Sequence, residues 1–221
     1  MMNFVNWGVI QYDKAWKQQQ VLFDERLKAK ASGLTLPDLL VFCEHTPVFT
    51  LGKSGQSSNL LVNQQVLKSK GVDYYMIDRG GDITFHGPGQ IVCYPIVDLE
   101  HFGIGLRRFI EILELAVIQF LSEYHVKGEQ VKNATGVWVK SKDQDVYQKI
   151  CAIGIKSSRF VTMHGLALNI NTDLSYYQMI NPCGFSDRGV TSLTLETGLK
   201  HSMTDCQQKL YDILNKMLKT I

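Results

Sequence analysis

The sequence predicts an α+β protein with a mixed, largely antiparallel central sheet flanked by helices. Short apolar segments that favour strands dominate the middle of the chain, and they lack the regular helical crossovers of a parallel sheet. Helical spacing of apolar residues is clearest from Phe109 to Leu121 and near the C-terminus. No repeat or interdomain linker divides the sequence, so we expect one domain over residues 1–221.

The order of the remaining elements follows from periodicity and from turn residues. Asp13 to Ala31 is predicted to be a helix that ends before Gly33. The final helix is predicted to be capped by Thr204, with Cys206 on its buried face. The segment 171–193 is expected to be a loop. Strands are predicted at residues 4–10, 39–43, 48–51, 74–77, 91–97, 135–140, 149–155 and 166–170.

Composition and charge exclude several classes of protein. The 221 residues are 45% hydrophobic and 20% charged, which is sufficient for an ordinary core. The net charge of +2 gives no drive toward nucleic acid or anionic membranes, and no apolar run reaches the length of a membrane span. We therefore expect no nucleic-acid and no membrane partner. The first residues show no signal-peptide or transit pattern, which favours a bacterial cytoplasm.

The segment from Arg79 to Pro95 has the composition of a small-ligand pocket. Gly80 and Gly81 permit a positive φ and a close backbone approach, and a Gly-Pro-Gly turn follows them. Three polar side chains accompany these turns: the guanidinium of Arg79, the imidazole of His86 and the amide of Gln90. A strand with a proline near its middle comes next, which suggests a bent or edge strand. A tight hairpin with its usual glycines is the alternative interpretation.

The five cysteines favour a reduced compartment, because their number is odd and no Cys-x-x-Cys pair exists. Their spacing also fits no zinc site, so we expect no metal. Cys43, Cys93 and Cys206 fall on apolar faces and are predicted to be core residues. Cys183 lies in a rigid Asn-Pro-Cys-Gly turn and is the best candidate nucleophile. Cys151 is the second candidate, since in a regular strand it would share a face with a lysine two residues earlier.

A cysteine nucleophile requires a nearby cation or base. At its ordinary pKa of about 8.5 a thiol is only a few per cent thiolate at neutral pH. A single positive charge at about 4 Å lowers that pKa by roughly three units. The candidates for this role are Lys149, Lys156, His86 and His164. Spacing alone does not choose among them, and a solvated lysine or a structural histidine is the alternative for each.

Four segments, taken together, resemble the lipoyl(octanoyl) transferase family. The first is Arg79–Gln90, with the sequence Arg-Gly-Gly-Asp-Ile-Thr-Phe-His-Gly-Pro-Gly-Gln. The second is Lys149–Lys156, Lys-Ile-Cys-Ala-Ile-Gly-Ile-Lys, and the third is Thr162–Asn169, Thr-Met-His-Gly-Leu-Ala-Leu-Asn. The fourth is Ile180–Gly184, Ile-Asn-Pro-Cys-Gly. Their order and rough spacing match the family over about half of the chain, which makes the resemblance specific.

The resemblance implies an activity, a fold and two protein partners. The activity is transfer of an octanoyl group from acyl carrier protein to a lysine of a lipoyl domain. Such domains belong to the E2 subunits of 2-oxoacid dehydrogenases and to the H protein of glycine cleavage. The implied fold is that of biotin and lipoate protein ligases. Neither a cofactor nor ATP is implied, since exchange between thioesters is nearly balanced and amide formation from a thioester runs downhill.

The resemblance also implies roles for individual residues. It places the acyl-thioester nucleophile on Cys183 and the lysine that activates it on Lys149. This sequence departs from the family pattern at Phe85, where tyrosine is common, and in a longer polar connector at residues 141–148. The implied substrate-binding residues are Arg79, Gly80, Gly81, Asp82, Ile83, Thr84, Phe85, His86, Ala152, Ile153, Gly154, Gly165, Leu166 and Ala167.

Two other classes of protein share parts of this pattern. An ATP-dependent lipoate or biotin protein ligase of the same fold also places a lysine in a Lys-Ile-x-small-x-Gly strand, but it needs no nucleophilic cysteine. A binding module for acyl carriers or lipoyl domains would account for the glycine pocket without using Cys183 or Lys149. Release of pyrophosphate from ATP distinguishes the first alternative, and a covalent acyl adduct distinguishes the second.

Overall fold

The computed structural model describes residues 2–141, 145–181 and 189–220. The strands of these residues form a seven-stranded sheet and a three-stranded sheet. In chain order they are β1 (Asn3–Ile10), β2 (Leu39–His45), β3 (Val48–Leu51), β4 (Asp73–Met76), β5 (Ile83–His86), β6 (Gln90–Ile96), β7 (Gly128–Val131), β8 (Ala134–Lys140), β9 (Tyr147–Ser158) and β10 (Val161–Asn169).

The sheet topology is mixed and largely antiparallel. The large sheet has the order β1-β2-β6-β10-β9-β8-β7, and only its β1–β2 pair is parallel. The small sheet has the order β4-β3-β5, in which β3 runs parallel to β4 and antiparallel to β5. The predicted fold class is therefore confirmed, with the addition of a second, smaller sheet.

Helices cover both faces of the large sheet. They are α1 (Tyr12–Ala31), α2 (Gln64–Ser69), α3 (Leu106–Ser122), α4 (Leu193–Thr197) and α5 (Met203–Lys219). The apolar faces of α3 and α5 pack together with one sheet face into the main core, in which Phe109 and Phe120 are fully buried. Burial of each such side chain contributes about 1.5–3 kcal/mol. Helix α1 covers part of the opposite face, beside β6 and β10.

Several short elements differ from the prediction. Strands β5 and β7 and helix α2 span only four to six residues each, too few for a periodic pattern to emerge. The segment 171–193 is predicted to be a loop, but it contains a 3₁₀ segment, Leu174–Met179. Its last residue, Leu193, begins helix α4. The last helix is capped by Ser202, whose hydroxyl accepts a hydrogen bond from the amide of Asp205, and not by Thr204. Cys206 is buried on that helix as predicted.

The strand that carries Pro95 lies inside the sheet, between β2 and β10, and so the expectation of an edge position is wrong. Its pairing with β10 ends at Cys93, opposite Leu166. Pro95 therefore has no ladder bond to make on that side, and its carbonyl instead accepts a hydrogen bond of 2.8 Å from the Thr162 hydroxyl. A proline is tolerated in an interior strand where the ladder is interrupted in this way.

A β-bulge in β9 decides which side chains face the two sides of the sheet. Trp138 of β8 pairs with Lys149, and the next residue back, Val137, pairs with Cys151. One extra residue, Ile150, is thus inserted in β9 between two consecutive pairs. As a result Lys149 lies on the face of Trp138, whereas Cys151 lies with Val137 in the core beneath α3. The predicted shared face of Lys149 and Cys151 is therefore wrong.

Candidate active site

A cavity of about 270 Å³ lies between the large sheet and the segment that leads into β5. Strands β6, β8, β9 and β10 contribute residues from the face opposite the α3–α5 core, and Tyr12 at the start of α1 adds to the wall. The segment 79–86 lies across from these strands. A largely apolar cavity with a few polar groups is the general form of a small-ligand site.

Four small residues form the centre of the cavity's sheet wall. Ala152 of β9 pairs with Ala167 of β10, and Gly154 pairs with Gly165. A Cβ atom at Gly154 would lie 2.6 Å from the carbonyl oxygen of Gly80. The missing side chain thus permits the glycine segment to pack directly on the sheet, because no real Cβ approaches a backbone oxygen so closely. The two alanines keep the adjacent part of the wall shallow.

One polar wall of the cavity begins with a buried guanidinium. Arg79 Nη2 donates to the carbonyl oxygen of Thr50 at 2.7 Å and to its Oγ1 at 2.9 Å. The Thr50 Oγ1 also lies 3.3 Å from Nε2 of His86. The Thr50 hydroxyl accepts from Arg79 and still carries a proton of its own that it can donate to His86. Arg79 therefore ties the segment before β5 to the central strand of the small sheet.

The same network continues from His86 toward the far side of the cavity. His86 Nδ1 lies 2.8 Å from Gln90 Oε1, and Gln90 Nε2 donates to Asn169 Oδ1 at 2.9 Å. Asn169 in turn donates to the carbonyl of Thr191 at 3.0 Å. Since Gln90 Oε1 can only accept, His86 must carry its proton on Nδ1. The chain of bonds is consistent with a single, neutral tautomer.

Burial is the main reason that the pKa of His86 lies well below its usual range, and the neighbouring His45 and Arg79 lower it further. His86 is therefore uncharged at neutral pH and cannot stabilise a thiolate as a cation. His45 behaves in the same way, because burial lowers its pKa to about 4. Its Nε2 lies 2.6 Å from the hydroxyl of Tyr94, which lines the cavity.

Lys156 and His164 both bond to one carboxylate. Lys156 Nζ lies 2.6 Å from Asp78 Oδ2, and His164 Nε2 lies 3.0 Å from Asp78 Oδ1. The hydrogen bond from His164, with the ammonium of Lys156, holds the pKa of Asp78 well below its usual range. Burial lowers the pKa of His164 itself, so the imidazole donates to Asp78 in its neutral form. Lys156 is thus committed to an ion pair.

Lys149 is the remaining candidate cation, and it lines the cavity. Its Nζ lies 4.6 Å from the centroid of the Trp138 ring, over the ring face. Its backbone is held from the other side by the segment 189–191: Lys149 N donates to Gly189 O, and Thr191 N donates to Lys149 O, both at 3.0 Å. The lysine is half-buried, so that strand pairing and an aromatic surface fix its position.

Four cysteines lie within the described residues, and all four thiols are buried. Burial raises the pKa of Cys43, Cys93, Cys151 and Cys206. A raised pKa opposes thiolate formation, and none of these four residues lines the described cavity. Cys151, the second candidate nucleophile, is therefore a core residue. Cys183, the first candidate, lies outside the described residues. Of the residues on either side of that segment, Tyr177, Gly189 and Val190 line the cavity.

The structure brings most of the predicted binding residues together. Two of them do not line the cavity. Phe85 is buried against Tyr176, with the rings stacked at 4.4 Å, and Gly80 packs its backbone on β9, donating to the carbonyl of Ile155. The predicted residues that do line it are Arg79, Gly81, Asp82, Ile83, Thr84, His86, Ala152, Ile153, Gly154, Gly165, Leu166 and Ala167, together with Lys149.

Sequence reasoning missed several residues around the cavity. Thr50 bridges Arg79 and His86, and Tyr12 stacks on His86 with the two rings 4° from parallel. Asn169 ends the third motif, and the resemblance implies no role for it. Trp138 carried a weak signal, because it alternates with apolar residues in a predicted strand before a polar connector. Its pairing with Lys149 could not be foreseen, since a bulge sets the register.

In the ranges 2–141, 145–181 and 189–220, no helix is both long enough and apolar enough to cross a membrane. The same ranges hold no cluster of three or more histidine, cysteine or acidic side chains placed to bind a metal ion.

Comparison with known proteins defines the class of protein to which this fold and cavity belong. A lipoate protein ligase from Thermoplasma acidophilum, reported with its E2 lipoyl domain, has a TM-score of 0.70 at 15% identity and covers 99% of this chain and 85% of its own. A biotin protein ligase from Aquifex aeolicus has a TM-score of 0.53 at 13% identity, covering 100% and 71%. The class is therefore that of the biotin and lipoate protein ligase fold.

Sequence comparison is more specific. The family model of the lipoyl protein ligase A/B catalytic domain matches residues 11–215, and the chain belongs to this family. An octanoyltransferase from Parabacteroides distasonis is 53% identical over 206 residues, which cover 93% of each chain. These matches confirm the predicted family and the predicted octanoyltransferase activity. The roles of individual residues, the acyl donor and the covalent intermediate remain predictions.

Proposed function

We propose that this protein transfers an octanoyl group from acyl carrier protein to a lysine of a lipoyl domain, through a thioester on Cys183. The observation that carries the proposal is the placement of Lys149 at the wall of an apolar cavity, beside the segment 189–191. That segment follows the Asn-Pro-Cys-Gly motif in the sequence. The neutral state of His86 and the ion pair of Lys156 leave Lys149 as the best-placed cation among the four candidates.

In the first step the Cys183 thiolate attacks the carbonyl carbon of the octanoyl thioester on the carrier. A new C–S bond forms, and the bond to the carrier's sulfur breaks after a tetrahedral intermediate. The Lys149 ammonium stabilises the thiolate, and its proton can pass to the departing thiolate. The balanced exchange of one thioester for another needs no external energy source.

In the second step the lysine amine of the lipoyl domain attacks the enzyme thioester. An amide C–N bond forms, the C–S bond to Cys183 breaks, and the sulfur leaves as thiolate. Lys149, which is neutral after the first step, accepts the proton that the amine loses. His86 is less suited to this role, because both of its ring nitrogens are engaged with Thr50 and Gln90.

The cavity suits an acyl chain of moderate length. Its centre is walled by Ala152 and Ala167, and the apolar side chains of Ile83 and Val92 add to the lining. Burial of about six methylene groups contributes up to about 5 kcal/mol, enough to favour octanoyl over much shorter chains. We also propose the E2 and H-protein lipoyl domains as acceptors, since a lipoate protein ligase of the same fold is reported with its E2 lipoyl domain, and we propose the cytoplasm as the compartment.

Intact-mass measurement tests the covalent intermediate. The protein is mixed with octanoyl-acyl carrier protein in the absence of a lipoyl domain. We expect an adduct of about 126 Da, the mass gained when octanoyl replaces hydrogen on a nucleophile. The adduct should be lost in Cys183→Ala and kept in the matched variant Cys206→Ala. An adduct that persists in Cys183→Ala would reject the proposed nucleophile.

A parallel assay separates transfer from ligation. The protein is incubated with a lipoyl domain and either octanoyl-acyl carrier protein or free octanoate with ATP. We expect acylation of the domain only with the carrier, and no release of pyrophosphate. Stoichiometric pyrophosphate release with free acid would instead favour the ligase activity of the structural relatives.

A further inference from the structure

We propose that Trp138 is a positioning residue for the reaction, whose ring face holds the ammonium group of Lys149 in its charged form at the cavity wall. The inference rests on the proposed role of Lys149, and it adds a residue that lies outside the four motifs. It follows from the pairing, the ring contact and the orientation of the indole.

Strand pairing brings the two side chains together. Trp138 and Lys149 are direct partners in β8 and β9, and directly opposed side chains in an antiparallel pair lie on the same face. Both line the cavity. The ammonium nitrogen lies over the ring at 4.6 Å from its centroid, within the distance of about 6 Å at which a ring quadrupole attracts a cation.

The indole ring is fixed in the orientation that this contact requires. Its Nε1 donates to the carbonyl of Ala134 at 2.8 Å, and the side chain is only 2% exposed. Beneath the lysine, Gly136 has a φ of 116°, and a Cβ there would lie 2.4 Å from the carbonyl of Cys151 and 3.6 Å from Cε of Lys149. The lysine stem therefore runs between a glycine and an aromatic face.

The contact has a chemical consequence for the reaction. A ring face attracts the ammonium form and gives nothing comparable to the neutral amine, so Trp138 favours the charged state that stabilises a thiolate. Among the described residues, the charged and titratable groups on the surrounding elements include Glu114 of α3, Glu129 of β7, and those that line the cavity: Tyr12, Arg79, Asp82, His86, Tyr94, His164 and Tyr177.

Two of these acidic groups are engaged elsewhere. Glu114 accepts hydrogen bonds from the amide of Gly136 and from Gln130, and Glu129 accepts from Tyr147 and pairs with Lys127. The ring contact at 4.6 Å is a contribution to the charge state of Lys149 that adds to the field of these groups. It is also one that substitution of a single side chain can remove.

The test compares Trp138→Phe with Trp138→Leu. Both variants lose the bond to Ala134, but only Phe keeps a ring face. We expect the rate at which acetic anhydride acylates Lys149, followed by peptide mass at pH 8, to rise roughly threefold to tenfold in the Leu variant and clearly less in the Phe variant. We expect kcat for octanoyl transfer to fall in the same order, with KM for the carrier changed little.

Fluorinated tryptophan provides a test that does not depend on folding of the Leu variant. Each fluorine weakens the negative face of the ring while leaving its shape almost unchanged. The protein has three tryptophans, so Trp7→Phe/Trp16→Phe serves as the background for labelling Trp138 alone. We expect the Lys149 acylation rate to rise stepwise with fluorination.

Equal rates in the Phe and Leu variants, or no change with fluorination, would overturn the inference. Failure of the proposed function looks different: in that case Lys149→Ala retains octanoyl transfer, whatever the substitutions at Trp138 do to lysine acylation. The two results are therefore separable.

Discussion

The two ends of the cavity use polar side chains in different ways. At one end His86 is bonded through Thr50 and Gln90 on both ring nitrogens and is kept neutral by burial. At the other end Lys149 is held by backbone pairing and by the face of Trp138. A saturated neutral network fixes shape but moves protons poorly, whereas Lys149 presents a titratable amine at the cavity wall. This contrast supports the proposal of a structural role for the first end and of proton chemistry for the second.

Substitution of Lys149 should have the largest effect on activity. We expect Lys149→Ala to lower kcat for octanoyl transfer by about 10²–10⁴-fold, as for loss of a general acid–base group, while thermal unfolding changes little because the side chain is half-buried. Lys149→Arg keeps a fixed charge but cannot act as a base at neutral pH, so we expect it to retain adduct formation better than the second step. Wild-type turnover in Lys149→Ala would reverse the assignment of the two ends.

Substitution of Gln90 should affect stability more than chemistry. Gln90→Ala leaves His86 Nδ1, Asn169 Oδ1 and the Phe85 carbonyl without their partner in a fully buried site. We expect the free energy of unfolding to fall by about 2–4 kcal/mol, measured by urea denaturation. The control is Gln208→Ala, which removes an exposed bond to Asp212 and should change stability by less than about 0.5 kcal/mol. Similar small effects for both variants would show that the network is dispensable.

The pH dependence of stability should show that the buried histidines at the His86 end of the cavity are neutral in the folded protein. Burial lowers the pKa of His45 to about 4, so below about pH 6.5 the unfolded imidazole binds a proton that the folded one does not. Stability is thus complete above pH 6.5 and is lost as pH falls toward 4, by about 2 kcal/mol at pH 5 from this residue. His86 and His164 act in the same direction.

The matched variant for this measurement is His45→Gln, which removes one titrating group and keeps an amide donor for the Ile10 carbonyl. We expect chemical denaturation between pH 5 and 7 to give a shallower slope for His45→Gln than for the wild type. An identical slope would mean that the folded protein binds a proton on His45 as readily as the unfolded chain does. That result would contradict the neutral state of this histidine.

The fold was predictable where the pattern was long. The helices near residues 13–31 and 109–121 and most strands lie where apolar periodicity indicates, because a buried face repeats over many residues. Elements of four to six residues, such as β5 and α2, provide too few repeats. The capping residue of α5 was misplaced by two positions, since Ser202 and Thr204 are both suitable caps and only geometry separates them.

The site was predictable through its motifs and less so through its contacts. The resemblance implied that Arg79, His86, Gly154 and Ala167 bind substrate, and all four residues line one cavity. It could not indicate that His86 is neutral, because burial and bonds from two other strands decide that charge. The expectation for Cys151 failed for a local reason: alternation along a strand holds only while the ladder is regular.

The extra residue in β9 has a consequence for how this hairpin tolerates sequence change. Deletion of Ile150 would restore unbroken alternation with Lys149 still on the cavity face and Cys151 still in the core, so it would remove one buried aliphatic side chain and the bulge without turning either face over. A one-residue deletion in the regularly paired part of the strand would instead exchange the two faces on one side of it, so position 150 should tolerate deletion better than its paired neighbours do.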